Sequence, residues 1–260
     1  ITDTRAIGLL RRLEKMSYRK ADAITVLSDD LREKLVDRVP NENQLLVIPN
    51  FVDTESIYPS ERHNKYRQEL GLLDETLVMY AGNVGFSQPL ELVIEAAEQL
   101  LDREDIVFVI NGNGSRRAQL EKAAEDLPNI TFMDYQPHSR LNEVLAAGDI
   151  HLIPLQAGLG SISVPSKLYS ILAAGRPVLA SVDSGTEIDR VVTRSGAGIN
   201  SDPANPAEFV AALINLVDDR SLLNVIIDRP CRIELTEKTT HLARISLTQE
   251  LVKLFNQCGN

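Results

Sequence analysis

The residues best suited to chemistry lie between Gln156 and Glu187, in QAGLGSISVPSKLYSILAAGRPVLASVDSGTE. A loop of small residues leads to Pro165, and a short apolar stretch then runs to Gly175. Pro at a first helical position and Gly just past the last one mark a short helix. Strand patterns flank it, Asp149 to Leu155 before and Pro177 to Val182 after. In a parallel sheet that order puts the helix N-terminus at the carboxyl edge of the strands. Free N–H groups there attract anions, phosphates above all. Lys167 falls in the first turn. A cation there opposes the helix dipole and so points to an anionic partner; the other reading is a solvated side chain with its head in water.

Two more loops carry the same suggestion. Gly82-Asn83-Val84-Gly85 and Asn111-Gly112-Asn113-Gly114 each follow a strand pattern and precede a helical one. Gly also serves purely structural turns, so neither loop decides alone. Together on one sheet edge, with the 156–166 loop beside them, they indicate a nucleotide-type ligand. The spacing is not Gly-x-Gly-x-x-Gly and no Walker Lys follows, so neither dinucleotide binding nor ATP hydrolysis is favoured. Arg116 and Arg117 come next and read either as phosphate contacts or as a solvated helix start. Ser161, Ser163 and Ser166 sit in no Gly-x-Ser-x-Gly elbow, and capping is the better reading. Asp218-Asp219 follows a helix pattern and reads as capping rather than as a metal pair, and no Cys/His cluster has zinc spacing.

These groups need a frame, and the pattern supplies one. From Thr76, apolar strands alternate with helical segments. The strands run Leu77 to Ala81, Ile106 to Ile110, Ile130 to Met133, Asp149 to Leu155, Pro177 to Val182 and Ala197 to Asn200. The helices run to about Leu101, then Ser115 to Leu127, His138 to Ala147, Pro165 to Gly175, Glu187 to Thr193 and Pro206 to Val217. Alternation with short loops predicts an α/β fold with a doubly wound, Rossmann-like parallel sheet. Right-handed crossovers collect the strand-to-helix loops on one edge. Upstream, residues 5 to 20 read as an amphipathic helix with Leu9, Leu13 and Met16 on one stripe. Short strands Ala23 to Leu27 and Gln44 to Ile48 surround a helix that Ser28 caps. Residues 56–75 read as a linker with one short helix, and 239 to 256 as a last amphipathic helix.

Composition narrows the partners. The 260 residues are 43% apolar and 25% charged, as in a globular protein. A net charge of −10 argues against a nucleic-acid partner held by charge. Two cysteines, Cys231 and Cys258, make no disulfide framework and suit a reducing compartment. No apolar run approaches the ~18 residues of a membrane span.

The order and wording of these motifs resemble the family-4 glycosyltransferases of the GT-B fold, closest to bacterial members that build surface polysaccharides. YAGNVGFSQPLELVIEAA (80–97), INGNGSRRAQLE (110–121), FMDYQPHSRLNEVLAAGDIHLIPL (132–155) and VPSKLYSILAAGRPVLAS (164–181) carry the resemblance. ADAITVLS (21–28) and VIPNFVDTESIYP (47–59) match the family's passage between its two domains. The resemblance implies a donor domain over residues 76–235, preceded by the tail of an acceptor-binding domain (1–55) and followed by a helix (236–260) that returns toward the first part. It implies donor contacts from Gly82, Asn83, Val84, Gly85 and Gln88, from Gly112, Asn113, Gly114 and Arg116, from Tyr135, Gln136 and Pro137, and from Ser163, Val164, Ser166, Lys167 and Ser170. Lys167 would stabilise the leaving diphosphate, and no metal is required. The chain departs from the family's pattern where two Glu are usual, at Ile162 and Ser170, and where an Arg and a Lys are usual, at Asn83 and Gln88.

The function implied is retaining transfer of a sugar from a nucleotide sugar, a UDP-sugar foremost, to a glycan or polyprenyl-linked acceptor held by the missing domain. The chain by itself is expected to be inactive. The setting implied is cytoplasmic, at the inner face of the membrane, with peripheral membrane contact by the whole protein. The lost carboxylates keep a second class open, a non-catalytic nucleotide-sugar-binding module or inactive homologue. A UDP-sugar epimerase is a third, though the loops offer His138 and little else for its chemistry.

Overall fold

The computed structural model describes residues 4–219. The helix expected over 239 to 256, its packing against residues 5 to 20, and both cysteines lie outside them. The first part of the chain consists of α1 (Thr4–Lys20), β1 (Ile24–Val26), α2 (Asp29–Leu35) and β2 (Leu45–Val47). The two strands pair in parallel as a small sheet of their own. Ser28 caps α2 by accepting from the Leu31 N–H.

The main sheet begins after α3 (Lys65–Glu69). Its elements are β3 (Thr76–Ala81), α4 (Glu91–Gln99), β4 (Ile106–Asn111), α5 (Arg117–Ala123), β5 (Ile130–Met133), α6 (Leu141–Ala147), β6 (Ile150–Pro154), α7 (Lys167–Ala173), β7 (Val178–Ser181), α8 (Glu187–Ser195), β8 (Gly198–Ser201) and α9 (Pro206–Asp218). The strand order is β5-β4-β3-β6-β7-β8, with every pair parallel. The sheet therefore reverses direction between β3 and β6, and a doubly wound sheet opens a crevice at such a point, beyond the carboxyl ends of the strands. Helix α4 starts later than the sequence pattern suggests, because residues up to Pro89 and Leu90 form tight turns first.

Both faces of the sheet are covered, and alternation along the strands explains how. On β3, Val78 and Tyr80 join a core with Leu92, Val93 and Ala96 of α4 and Phe209 and Leu213 of α9. Leu77 and Met79 point the other way, onto Tyr66 and Val144. A further core holds Ile153, Leu168, Ile171, Leu172, Ile188 and Val192, and takes in Val52 and Ile57 from upstream. Asp30 binds the start and side of α8, accepting from the Glu187 N–H at 2.8 Å and pairing with Arg190 at 2.9 Å. The first part of the chain is thus fastened to the main sheet.

The stretch read as a linker carries a buried ionic cluster. Arg67 is 1% exposed, and its guanidinium donates to the Leu73, Glu75 and Ala147 carbonyls and to Asp149. Asp149 also takes Arg62 at 2.8 Å and the Leu77 N–H at 2.8 Å. Every nitrogen of the fork-shaped cation has an acceptor, which is the condition for burying one. Asp149→Ala leaves the Arg67 charge buried without its carboxylate and is expected to cost about 3–5 kcal/mol of stability. Urea denaturation of parent and variant measures it; a loss below about 1 kcal/mol would show that the cluster is dispensable.

Candidate functional site

At the reversal point the loops after β3, β4 and β5 meet the start of α7. They enclose a cleft of about 260 Å³. Ala81 and Gly82 after β3, Asn111 at the end of β4, Tyr135 and Gln136 after β5, and Ser166, Lys167 and Ser170 at the start of α7 line it; Leu141, Val144 and Leu145 of α6 complete it. A larger hollow of about 370 Å³ lies against α1, lined by Arg11, Glu14, Lys15, Tyr18, Asp37 and Arg38. There Glu14 already takes Arg38 and the Tyr18 hydroxyl, so that surface satisfies itself.

Lys167 is the electrostatic centre of the cleft. Its side chain is half-buried as a whole, but the Nζ is covered and makes no hydrogen bond among the described residues. It lies 3.6 Å from the centroid of the Tyr80 ring. Burial pushes its pKa down to about 7, because removing an ammonium from water disfavours the charged form. The solvated reading of this residue is therefore excluded. Ser170 opens on the cleft while Ile171 is buried in the core.

The glycine loops are held by each other. A Cβ on Gly112, whose φ is +154, would stand 1.9 Å from the Gly82 carbonyl oxygen. One on Gly114 would stand 2.2 Å from that of Val84. Hydrogen bonds run between the loops, Gly82 N–H to Asn111 and Val84 N–H to Asn113, both at 2.9 Å. The Tyr80 hydroxyl donates to the Asn83 carbonyl at 2.5 Å, and Tyr135 donates to the Asn113 carbonyl at 3.2 Å. Close backbone packing is thus a sufficient reason for Gly112 and Gly114, while Gly82 alone of the loop glycines lines the cleft.

The other residues implicated by the sequence fall into two groups. Gly82, Tyr135, Gln136, Ser166, Lys167 and Ser170 come together. Val84 and Val164 are core residues, and the Val164 carbonyl accepts from Asn50 at 3.0 Å. Gly85 sits against the Asn83 side chain and near Gln88, whose Oε1 is buried without a partner. Pro137 precedes a short helical turn, His138–Arg140. Ser163 closes the 156–166 loop by an N–H bond to the Leu159 carbonyl. Arg116 is committed elsewhere: it pairs with Glu91 and lies over the Phe86 ring at 5.4 Å. Arg117 binds Glu121, Asp134 and the Gly112 carbonyl. Sequence reading missed Tyr80, for which a Tyr in an apolar strand was the only signal, and took Asn111 as part of its loop without making it a contact. Asn111 is buried on the cleft wall, and its Oδ1 has no partner among the described residues. Among the described residues, no group of three or more His, Cys, Asp or Glu could hold a metal ion.

The strand order and a cleft at the reversal point define an α/β domain of the doubly wound class, with its cleft at the carboxyl edge of the sheet. Residues 75–219 match the family of glycosyl transferases group 1, and the chain belongs to that family. It is 30% identical over 220 residues to the probable glycosyltransferase WbjE of Pseudomonas aeruginosa, covering 84% of this chain and 54% of that protein. It is 29% identical over 211 residues to the putative colanic acid biosynthesis glycosyl transferase WcaI of Escherichia coli, covering 79% and 52%. The chain thus spans about half the length of these relatives. Among solved structures, the fold is similar to sucrose-phosphate synthase from Thermosynechococcus elongatus, with a TM-score of 0.76, 16% identity and coverage of 100% of this chain and 65% of that one. It is also similar to HepE of Anabaena in complex with UDP and glucose, with a TM-score of 0.77, 14% identity and coverage of 94% and 67%.

The buried Lys167 makes stability depend on pH in a defined direction. Its pKa falls from the ordinary 10.5 to about 7 on folding. Between those values the unfolded chain holds a proton that the folded chain lacks, so this group's contribution rises with pH across that window and is least favourable below it. Lys167→Met removes the effect. The variant is expected to melt above the parent near pH 6, with the gap closing toward pH 10, at no more than about 1.4 kcal/mol per pH unit. Thermal melts across that range check it; a gap independent of pH contradicts the burial of the ammonium.

Proposed function

We propose that this chain is the donor-binding half of a glycosyltransferase that moves a sugar from a nucleoside diphosphate sugar, a UDP-sugar foremost, to a glycan or polyprenyl-linked acceptor with retention. The observation that carries the reading is the Lys167 Nζ, buried at the cleft without a hydrogen-bond partner among the described residues. An unpaired buried cation is costly, and a phosphate is the partner that removes the cost. Departure of a diphosphate mainly requires stabilisation of the charge that develops on it, and a positioned ammonium with nearby backbone N–H groups provides that. HepE, similar in fold, is described in complex with UDP. Ser170 would face the ribose through one hydroxyl, and Tyr135 and Gln136 at the mouth would approach the base.

The acceptor would be held by the part of the relatives that this chain does not match. Family membership over residues 75–219 supports the transferase reading for the protein as a whole. Peripheral contact with an anionic cytoplasmic membrane face rests on α1, where Leu9, Leu10, Leu13 and Met16 are exposed beside Arg11, Arg12, Lys15 and Arg19. No helix of the described residues is long and apolar enough to cross a membrane. A nucleotide-sugar-binding module without catalysis is the second reading, favoured by Ser170 and Ile162 at positions where the family pattern has carboxylates. Transfer of radiolabelled sugar by the full-length protein separates the two.

Calorimetry tests the site directly. UDP is expected to bind better than GDP, and the reverse order contradicts the base assignment. Lys167→Ala is expected to weaken UDP binding about 10- to 150-fold near pH 7, the range of a lost charge-assisted contact. Lys167→Arg should recover only part, since a planar fork does not replace a compact ammonium. The bound phosphate favours the protonated amine, so parental affinity should fall as pH rises above about 7. Parental affinity in Lys167→Ala would remove Lys167 from the diphosphate site.

A further inference from the structure

The Lys167 ammonium and the Gly82–Gly85 loop come from distant parts of the chain, and one side chain touches both. The Tyr80 ring lies under Nζ at 3.6 Å to its centroid, and the Tyr80 hydroxyl donates to the Asn83 carbonyl at 2.5 Å. Tyr80 is 1% exposed, packed in the core that α4 and α9 cover. It is therefore held by the core while its ring face meets the Lys167 ammonium and its hydroxyl meets the loop after β3.

We propose that Tyr80 is the positioning residue of the anion site: its ring face stands in for a counter-ion beneath the Lys167 ammonium, and its hydroxyl fixes the loop that faces the same ligand. The proposal rests on the diphosphate reading above. A desolvated cation over an aromatic face is attracted by the ring quadrupole. Unlike a carboxylate, the ring does not occupy the N–H donors of the ammonium, so they stay free for an arriving phosphate. A Glu or Asp in its place would neutralise the cation before the ligand came.

The surroundings of Nζ support that role. From β3 it faces Tyr80, whose own ionisation is pushed up by burial. From β6 comes His151, pushed down to about 4 by burial and therefore neutral. The loop after β5 brings Tyr135, and β4 brings Asn111, while α6 offers only Leu141, Val144 and Leu145. Serines 166 and 170 are its neighbours on α7. No carboxylate pairs with Lys167 among the described residues.

The test compares Tyr80→Phe, which keeps the ring, with Tyr80→Leu and Tyr80→Met, which do not, in the full chain. Lysine Cε and Nζ resonances are followed against pH without ligand, with Lys167 assigned from its absence in Lys167→Met. Tyr80→Leu is expected to lower the Lys167 midpoint by on the order of one pH unit, since the ring's stabilisation of the ammonium is lost. Tyr80→Phe is expected to leave the midpoint in place but to weaken UDP binding about 2- to 10-fold through the freed loop. Tyr80→Met serves the same purpose as Leu should Leu unfold the core. A ring-less variant with the parental midpoint, or a Phe variant shifted as far as the ring-less one, overturns the role of the ring. Parental UDP affinity in Tyr80→Phe overturns the role of the hydroxyl. A parent that shows the midpoint shifts but binds no UDP removes the diphosphate reading, and with it the placement of Tyr80 at an anion site, while the Tyr80–Lys167 contact remains.

Discussion

The backbone crossing between the loops after β3 and β4 is the constraint on which the cleft depends. The carbonyl of Gly82 lies where a side chain on Gly112 would begin, and that of Val84 where one on Gly114 would begin. Two loops can approach so closely only when one of them lacks Cβ atoms, and the φ of +154 at Gly112 is open only to glycine. The N–H bonds from Gly82, Val84 and Gly112 to Asn111, Asn113 and Met133 then extend the sheet's pairing past the strand ends. The result is a continuous floor of backbone across β3, β4 and β5. The hydroxyls of Tyr80 and Tyr135 both bond to it, and the Tyr80 ring meets Lys167 from there.

The two edges of the sheet treat buried charge in opposite ways. At the amino edge Arg67 and Asp149 satisfy each other, and the remaining donors of Arg67 reach backbone carbonyls. That cluster holds residues 62–75 onto the sheet and ties the starts of β3 and β6 through the Leu77 N–H. At the carboxyl edge the Lys167 amine is covered, with a ring face and no anion among the described residues. A satisfied buried cation is structural, while an unsatisfied one holds a free-energy cost that a ligand can relieve. The same argument separates Lys167 from Arg116 and Arg117, whose charges are met by Glu91, Glu121 and Asp134. Lys167 differs from these arginines in that its covered Nζ has neither a carboxylate nor a hydrogen-bond partner among the described residues.

Much of the fold was legible in the chain because it depends on local periodicity. Alternating apolar strands and helices with Gly and Pro at their ends are enough to determine a doubly wound sheet and to put the glycine loops and Lys167 on one edge. Strand β5 falls at Ile130–Met133, where the pattern puts it. What the glycines do was decided only by the tertiary structure, since a loop that packs on a loop and a loop that cradles a phosphate have the same composition. The state of Lys167 was likewise beyond the sequence. Whether its amine is solvated or buried depends on Tyr80, Asn111 and α6, all remote in the chain. Tyr80 and Asp149 passed unnoticed for the same reason: one reads as a core aromatic and the other as a strand boundary. The sequence by itself determined the sheet and the edge on which the glycine loops and Lys167 lie, because those follow from short-range patterns. Tertiary structure alone decided that Arg67 is met by a carboxylate and Lys167 is not, because desolvation and Coulomb energy depend on distances that only the folded chain sets.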